Sequence, residues 1–239
     1  MTDAGVLAGR SALVTGASKG IGRTIAESLA EAGVRVWCMA RSEGPIRELA
    51  AKIGGEAVVA DITDDVAVWD AVDGIAGMLG APPDIVVNSA GVFGIALSWK
   101  ETVQRFDERI AVNLRGTFLV NRAVLPGMLE RGSGLIVNLG SVAGRKAYKG
   151  NGAYSASKFG LKGYHEVLLE ELRGTGVRAS LVEPAATDTS IWDHLDPDEN
   201  PRLPNRQEML RAEDVAEAVL FVATRPHTVS IPVLQIEPA

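Results

Sequence analysis

Cysteine is almost missing from this chain. Cys38 is the only one in 239 residues, so no disulfide can form within the chain. Its place inside an apolar run marks it as a small buried hydrophobe rather than a reactive thiol. No basic block is present and the formal net charge is −6, which argues against a nucleic-acid partner. No apolar stretch approaches the roughly 20 residues of a membrane span, so no membrane is expected among its partners. Residues 1–10 lack the apolar core of a signal peptide. A reducing cytoplasm is the expected location, and no metal site is expected. There is no internal repeat and no linker long enough to separate domains. Hydrophobic residues at 46% and charged residues at 23% are ordinary for a soluble globule, and the length suits one domain over residues 1–239.

What the chain does have is alternation. Apolar runs at 12–14, 34–40, 57–60, 85–88, 135–139, 178–183 and 229–236 read as strands. Amphipathic stretches at 20–32, 45–53, 64–78, 102–131, 152–173 and 213–224 read as helices. Thr63, ahead of two aspartates, is the expected N-cap of the third stretch. Strand and helix in turn predict an α/β fold, a doubly wound parallel sheet of Rossmann type covered on both faces. The stretch 189–210 breaks the rhythm with Pro197, Pro201 and Pro204 among turn formers. A long irregular insert in a compact domain is usually functional, and it reads as a lid over a substrate.

Two motifs carry chemistry. In Thr15-Gly-Ala-Ser-Lys-Gly-Ile-Gly22, an apolar run leads into three glycines and then a helical pattern holding Ile21, Ile25 and Leu29. Strand, glycine turn and helix form the context of a dinucleotide phosphate site. Glycine permits positive φ and keeps Cβ atoms away from a pyrophosphate, and the helix N-terminus offers free N–H groups to the anion. The second motif is Tyr154-Ser-Ala-Ser-Lys158. Side chains at i and i+4 share a helix face. An ammonium beside the phenol would bring its pKa down from about 10 towards the range useful for proton transfer. A serine hydroxyl from elsewhere could bond the same reacting oxygen.

These residues, with Asp61, Asn88-Ser-Ala-Gly91, Asn113, Ser141 and Pro184-Ala-Ala-Thr-Asp-Thr189, resemble the short-chain dehydrogenase/reductase family across essentially the whole chain. The resemblance implies an enzyme interconverting a carbonyl and an alcohol by hydride transfer. It makes Tyr154 the general acid or base, Lys158 the residue that lowers the phenol's pKa and bonds the nicotinamide ribose, and Ser141 the residue that polarises the substrate oxygen. Asn113 would bend its helix and order a water in a proton relay. Cofactor contacts are implied for Gly16, Ser18, Lys19, Gly20, Ile21, Gly22, Arg41, Ser42, Asp61, Ile62, Asn88, Ala90, Gly91, Pro184, Thr187 and Thr189, besides Tyr154 and Lys158. Three positions depart from the family pattern. Ser89 stands where a second asparagine is usual, Gly140 where a serine is frequent, and Ala185 where glycine is usual.

Cofactor choice is readable at residues 40–42. NAD enzymes place an acid at the end of the second strand to bond the ribose 2′-hydroxyl. Here Ala40 fills that position and Arg41 follows. A guanidinium suits a phosphate dianion, and Lys19 should lie nearby, so NADP is the expected cofactor. Candidate substrate residues are Phe93, Ile95, Val142, Arg145, Tyr148, Ile191 and Trp192, an apolar and aromatic set with one optional cation. The C-terminal region is similar to the branch with 3-hydroxy-acid dehydrogenases and clavulanate-type aldehyde reductases. A small or medium aldehyde, ketone or 3-hydroxy acid is the expected substrate. A 3-oxoacyl-carrier-protein reductase and a non-catalytic NADP-binding sensor are the alternatives. Apolar excess in the stretches 102–131 and 152–173, through which family members pair, implies a homotetramer or homodimer.

Overall fold

The computed structural model of the protein describes residues 4–239. The expectation about the first ten residues falls partly on residues 1–3, outside the described ones. Seven parallel strands form one sheet in the order β3-β2-β1-β4-β5-β6-β7. They are β1 (Ser11–Thr15), β2 (Arg35–Ala40), β3 (Glu56–Val59), β4 (Ile85–Asn88), β5 (Gly134–Leu139), β6 (Val177–Pro184) and β7 (Val233–Ile236). The helices are α1 (Ala4–Leu7), α2 (Gly20–Glu31), α3 (Glu43–Ile53), α4 (Asp65–Leu79), α5 (Val103–Ile110), α6 (Thr117–Arg131), α7 (Gly152–Glu171) and α8 (Ala212–Ala223).

Strand periodicity divides the core in two. Side chains alternate across a strand, so Ala12 and Val14 join one apolar cluster while Leu13 joins the other. The first cluster takes Ile25 and Leu29 of α2, Leu49 of α3 and Val215 and Val219 of α8. The second takes Val68 of α4, Val120 of α6 and Leu168 of α7. Both faces of the sheet are therefore covered. That is why β1 and β4 are buried at every position and read as unbroken apolar runs.

Three expectations change in detail. The stretch 102–131 is helical almost throughout but contains a π-helical turn, Ala111–Gly116, between α5 and α6. The last strand begins at Val233; before it, the Arg178 guanidinium holds Val229 by donating to its carbonyl at 2.8 Å. Thr63 does not cap α4. Asp64 does, its Oδ1 accepting from Val66 N at 3.0 Å and Ala67 N at 3.1 Å. Thr63 is engaged one step earlier, donating to Asp61 Oδ1 from both its N–H and its hydroxyl. Cys38 is buried, and burial pushes its thiol up to about 11. Among the described residues no helix is long and apolar enough to cross a membrane. None of the described acidic, histidine and cysteine residues cluster as a metal site would require.

Candidate active site

β1 and β4 are sheet neighbours, yet β1 leads to α2 on one face and β4 leads towards α5 and α6 on the other. Open α/β sheets bind ligands at the carboxyl ends of strands where the connections diverge in this way. A cavity of about 1470 Å³ lies there. Its wall includes Gly16, Ser18, Lys19, Gly20, Ile21, Gly22, Arg41, Ser42, Asp61, Ile62, Ala90, Gly91, Pro184, Thr187 and Thr189. Ser141, Tyr154, Lys158, Phe93, Ile95, Val142, Tyr148, Ile191 and Trp192 also line it. Segment 189–210 contributes Leu195, Arg202 and Leu203 to the lining. The Arg206 guanidinium pairs with Asp188, Asp193 and Asp198 and so folds that segment back on itself.

The glycine turn has the shape of an anion cradle. Gly16 and Gly20 have φ of +69° and +56°. A Cβ on Gly16 would lie 2.6 Å from Ala90 Cα, and one on Gly22 2.5 Å from the Gly16 carbonyl oxygen. Lys19 at the N-cap of α2 makes no side-chain cap. The first N–H groups of this twelve-residue helix are therefore free of a capping side chain and open to a phosphate. Around the end of β2, Arg41 Nη1 stands 3.6 Å from Asp61 Oδ2. Burial pushes the Asp61 carboxyl up, but the Thr63 hydrogen bonds and the Arg41 charge outweigh it and hold the group below its ordinary range. These residues fit a dinucleotide.

The cavity wall also holds titratable groups. Ser141 caps a 3-10 turn, Val142–Gly144, its Oγ accepting from Ala143 N at 3.1 Å. Tyr154 lies in the first turn of α7, its ring edge-on to Phe93 at 4.8 Å between centroids, and Phe93 leans in turn on Trp192. Lys158 Nζ donates to Leu139 O at 2.7 Å and lies 5.7 Å from the Tyr154 ring centroid. Burial pushes the Tyr154 phenol up, and the Ser141 hydroxyl bonded to it draws it only some of the way back. Burial also lowers Lys158, to about 8. The expected depression of the phenol by the lysine is thus not found here. Desolvation dominates, and the ammonium's hydrogen bond goes to Leu139 O.

Three sequence candidates lie outside the cavity wall. Asn113 sits in the π-helical turn. Its Oδ1 accepts from Val92 N at 2.8 Å, and its Nδ2 donates to Val92 O at 2.9 Å and Ser157 Oγ at 3.0 Å. The amide fastens a loop and does not point at Lys158. Asn88 is buried behind the wall. Its Nδ2 donates to Asn121 Oδ1 at 2.7 Å and Asn138 Oδ1 at 2.9 Å, so it supports the cavity rather than touching what fills it. Arg145 turns away to pair with Glu183, because a carboxylate 0% exposed needs a counter-charge.

Other residues at the site are not singled out by any sequence motif. Ser157 Oγ donates to Tyr154 O at 2.7 Å while accepting from Asn113. Asn138 meets His165 Nδ1 at 3.3 Å, and His165 Nε2 meets Pro232 O at 2.9 Å. A carbonyl only accepts, so Nε2 carries the hydrogen and Nδ1 accepts from Asn138. Burial, opposed by the Pro232 bond, lowers the His165 pKa and keeps the ring neutral. The available signal is a polar residue inside an apolar strand, at Asn138 and at Glu183.

Comparison with known proteins agrees with this geometry. The sequence profile described as short chain dehydrogenase matches residues 10–200. The chain is 37% identical over 227 residues to D-threitol dehydrogenase of Mycolicibacterium smegmatis, covering 91% of this chain and 87% of that protein. It is 38% identical over 226 residues to 2-dehydro-3-deoxy-L-rhamnonate dehydrogenase (NAD(+)) of a Sphingomonas species, covering 92% and 90%. A metagenomic short-chain oxidoreductase solved with NADP superposes with a TM-score of 0.83 at 32% identity, covering 98% and 99%.

The lowered Lys158 pKa has a consequence for stability. Between about 8 and 10.5 the folded state binds fewer protons at this group than the unfolded state, so its contribution to stability rises with pH over that window. At pH 7 the ammonium costs roughly 3 kcal/mol, offset by about 1 kcal/mol for the bond to Leu139 O. Lys158→Met should therefore be more stable than the parent at pH 7 by about 2 kcal/mol. The difference should shrink as pH approaches 10.5. Denaturant midpoints across that range check this, and a variant less stable than the parent at pH 7 refutes it.

Proposed function

The chain belongs to the short-chain dehydrogenase/reductase family, and from that premise we propose that it transfers a hydride between NADP and a small or medium carbonyl or alcohol substrate, with Tyr154 as acid and base. The observation that carries this reading is the convergence of Tyr154, Ser141 and Lys158 on one wall of the cavity, with the Lys158 ammonium 5.7 Å from the Tyr154 ring centroid. The nicotinamide supplies or takes up the hydride when bound. Ser141 donates to the substrate oxygen and fixes its direction. In reduction Tyr154 gives its proton to that oxygen; in oxidation the phenolate takes it back. A phenol raised above its usual pKa is held in the proton-donating form at neutral pH. The Ser141 hydroxyl is the group that favours the phenolate that forms.

The cofactor's pyrophosphate is assigned to the α2 N-terminus and the glycine turn, and the 2′-phosphate to Arg41 with Lys19 and Ser42. Ala40 leaves no carboxylate there to bond a free 2′-hydroxyl. Phe93, Tyr148, Trp192 and Val142 leave an apolar slot for the substrate's carbon chain. Polyols, deoxy sugar acids and 3-hydroxy acids fit the reaction class and join aldehydes and ketones in the panel to be tried.

Tyr154→Phe keeps the ring against Phe93 and removes only the hydroxyl. Turnover should fall by about 10²–10⁴-fold while NADPH binding persists; near-normal turnover would end the assignment. Arg41→Ala should weaken NADPH by about one to two decades, the worth of a charged hydrogen bond, and leave NADH nearly unchanged. Comparison of kcat/KM for both cofactors decides this, and equal efficiency with NADH in the parent overturns the preference. We further infer a homodimer or homotetramer from Phe106, Phe118 and Phe159, exposed on α5, α6 and α7. Light scattering at micromolar concentration should exceed the 25.2 kDa of one chain, and a particle of that mass refutes assembly.

A further inference from the structure

Glu183 is the charge that the proposed chemistry does not use. It is 0% exposed near the end of β6, one residue before Pro184 in the cavity wall. Its Oε2 accepts from Arg145 Nε, and its Oε1 has no partner. Arg145 closes the turn that Ser141 begins. Gly144 N donates to Ser141 O at 2.9 Å and Arg145 N to Val142 O at 3.0 Å. On the opposite side of Ser141, Gly140 N donates to Val182 O at 2.7 Å. The Ser141 turn is thus tied to β6 at both ends, once by backbone and once by an ion pair. Gly140 makes the second tie possible. A Cβ there would lie 2.9 Å from Glu183 Cγ and 3.1 Å from Leu181 Cδ1, in the space the buried carboxylate's stem needs. The other carboxylate that Arg145 feels is Glu166 on α7.

We propose that Glu183 and Arg145 are a positioning pair that fixes the turn carrying Ser141 to the end of β6 and so sets where the Ser141 hydroxyl stands against Tyr154. A well-packed apolar pair in their place would hold the fold as well or better. What an ion pair adds is direction, at the one turn whose orientation decides a hydrogen bond. The inference rests on the reading of Ser141 and Tyr154 given above, and its test is built to separate the two.

Arg145→Met and Glu183→Gln are made in the parent and in a Ser141→Ala background, and turnover is followed by NADPH consumption with the best carbonyl of an aldehyde and ketone panel. In the parent each should lower kcat by about 10- to 100-fold, the size of a small misplacement, with KM for NADPH unchanged. Arg145→Lys should recover some of the loss. In the Ser141→Ala background neither change should lower kcat further. Equal fractional losses in both backgrounds overturn the pair and leave the site reading intact. A Ser141→Ala variant with full turnover overturns both. Because Arg145→Met leaves a buried carboxylate unpaired and can unfold the chain, a second variant keeps the question open to refutation. Gly140→Ala with Glu183→Ala fills the vacated space and leaves Arg145 in solvent. It should melt near the parent yet retain the low kcat, whereas Gly140→Ala alone should melt lower. Parent-like turnover in the double variant overturns the proposal.

Discussion

One threonine hydroxyl ties the sheet where its connections diverge. Thr15 Oγ1 accepts from Ser89 N and from Ala90 N, each at 3.2 Å, just where the chain leaves β1 for one face and β4 for the other. A buried N–H without a partner costs about 1–3 kcal/mol, so two such groups at a strand split would pull the edge apart. With both satisfied, Gly16 can pack on the backbone of Ala90, and Gly22 can pack on Gly16. That contact fixes where α2 begins and therefore where its uncapped N–H groups point. The shape of the cavity beside the glycine turn is a consequence of how closely two backbones approach, and side-chain size at 16, 22 and 90 sets the limit.

The wall around Tyr154 is held from behind by polar groups that do not line the cavity. Asn88, Asn121, Asn138 and His165 form a buried chain from β4 through α6 and β5 to α7. It ends at one side on Pro232 O, beside β7, and at the other on Asn88 Oδ1, which has no partner. Asn113 plays the matching role for the Val92 loop, and a π-helical turn accommodates it within an otherwise α-helical stretch. π-turns recur at functional sites, and here the geometry gives a reason: the amide must meet both the N–H and the C=O of Val92 at once. Ser157 then links that amide to the backbone of Tyr154, so hydrogen bonds fasten the loop bearing Phe93 to the helix bearing Tyr154.

Much of this is legible in the sequence, because the signals are local. Strand β4 reads correctly to the residue, since three apolar residues, two of them valines, run straight into Asn88 and the irregular segment beyond it. The glycine turn and the Tyr154–Lys158 pair fall on the turn and the helix that their spacing implies, because each spacing belongs to a single element. Thr63 and Asp64 are easily confused as caps because both can accept an N–H; only the claim of Asp61 on Thr63 decides between them. Asn88 and Arg145 read too far forward. Each is close to a wall residue in sequence, but its partner comes from another element, Asn138 and Glu183 respectively. The direction of the Tyr154 shift escapes a sequence reading for the same reason: Lys158 is local, whereas desolvation is a property of everything packed around the ring.

The departures from the family pattern sort themselves by what stands opposite them. Ala185 in place of glycine asks nothing of its neighbours. Its N–H donates to Ile236 O at 2.9 Å, continuing the β6–β7 ladder, and its φ is not among the positive ones, so no glycine is needed there. Ser89 keeps the backbone bond to Thr15 that position requires. Gly140 is different, because its missing Cβ and the buried stem of Glu183 occupy the same space. A serine at 140 and a glutamate at 183 would each have to shift the other. Local sequence rules treat a glycine after a strand as a mere turn signal. Here it accommodates a charge from another strand, and that charge holds the turn on which Ser141 stands. A rule broken at one position and another broken on the adjacent strand are better read as one arrangement than as two exceptions.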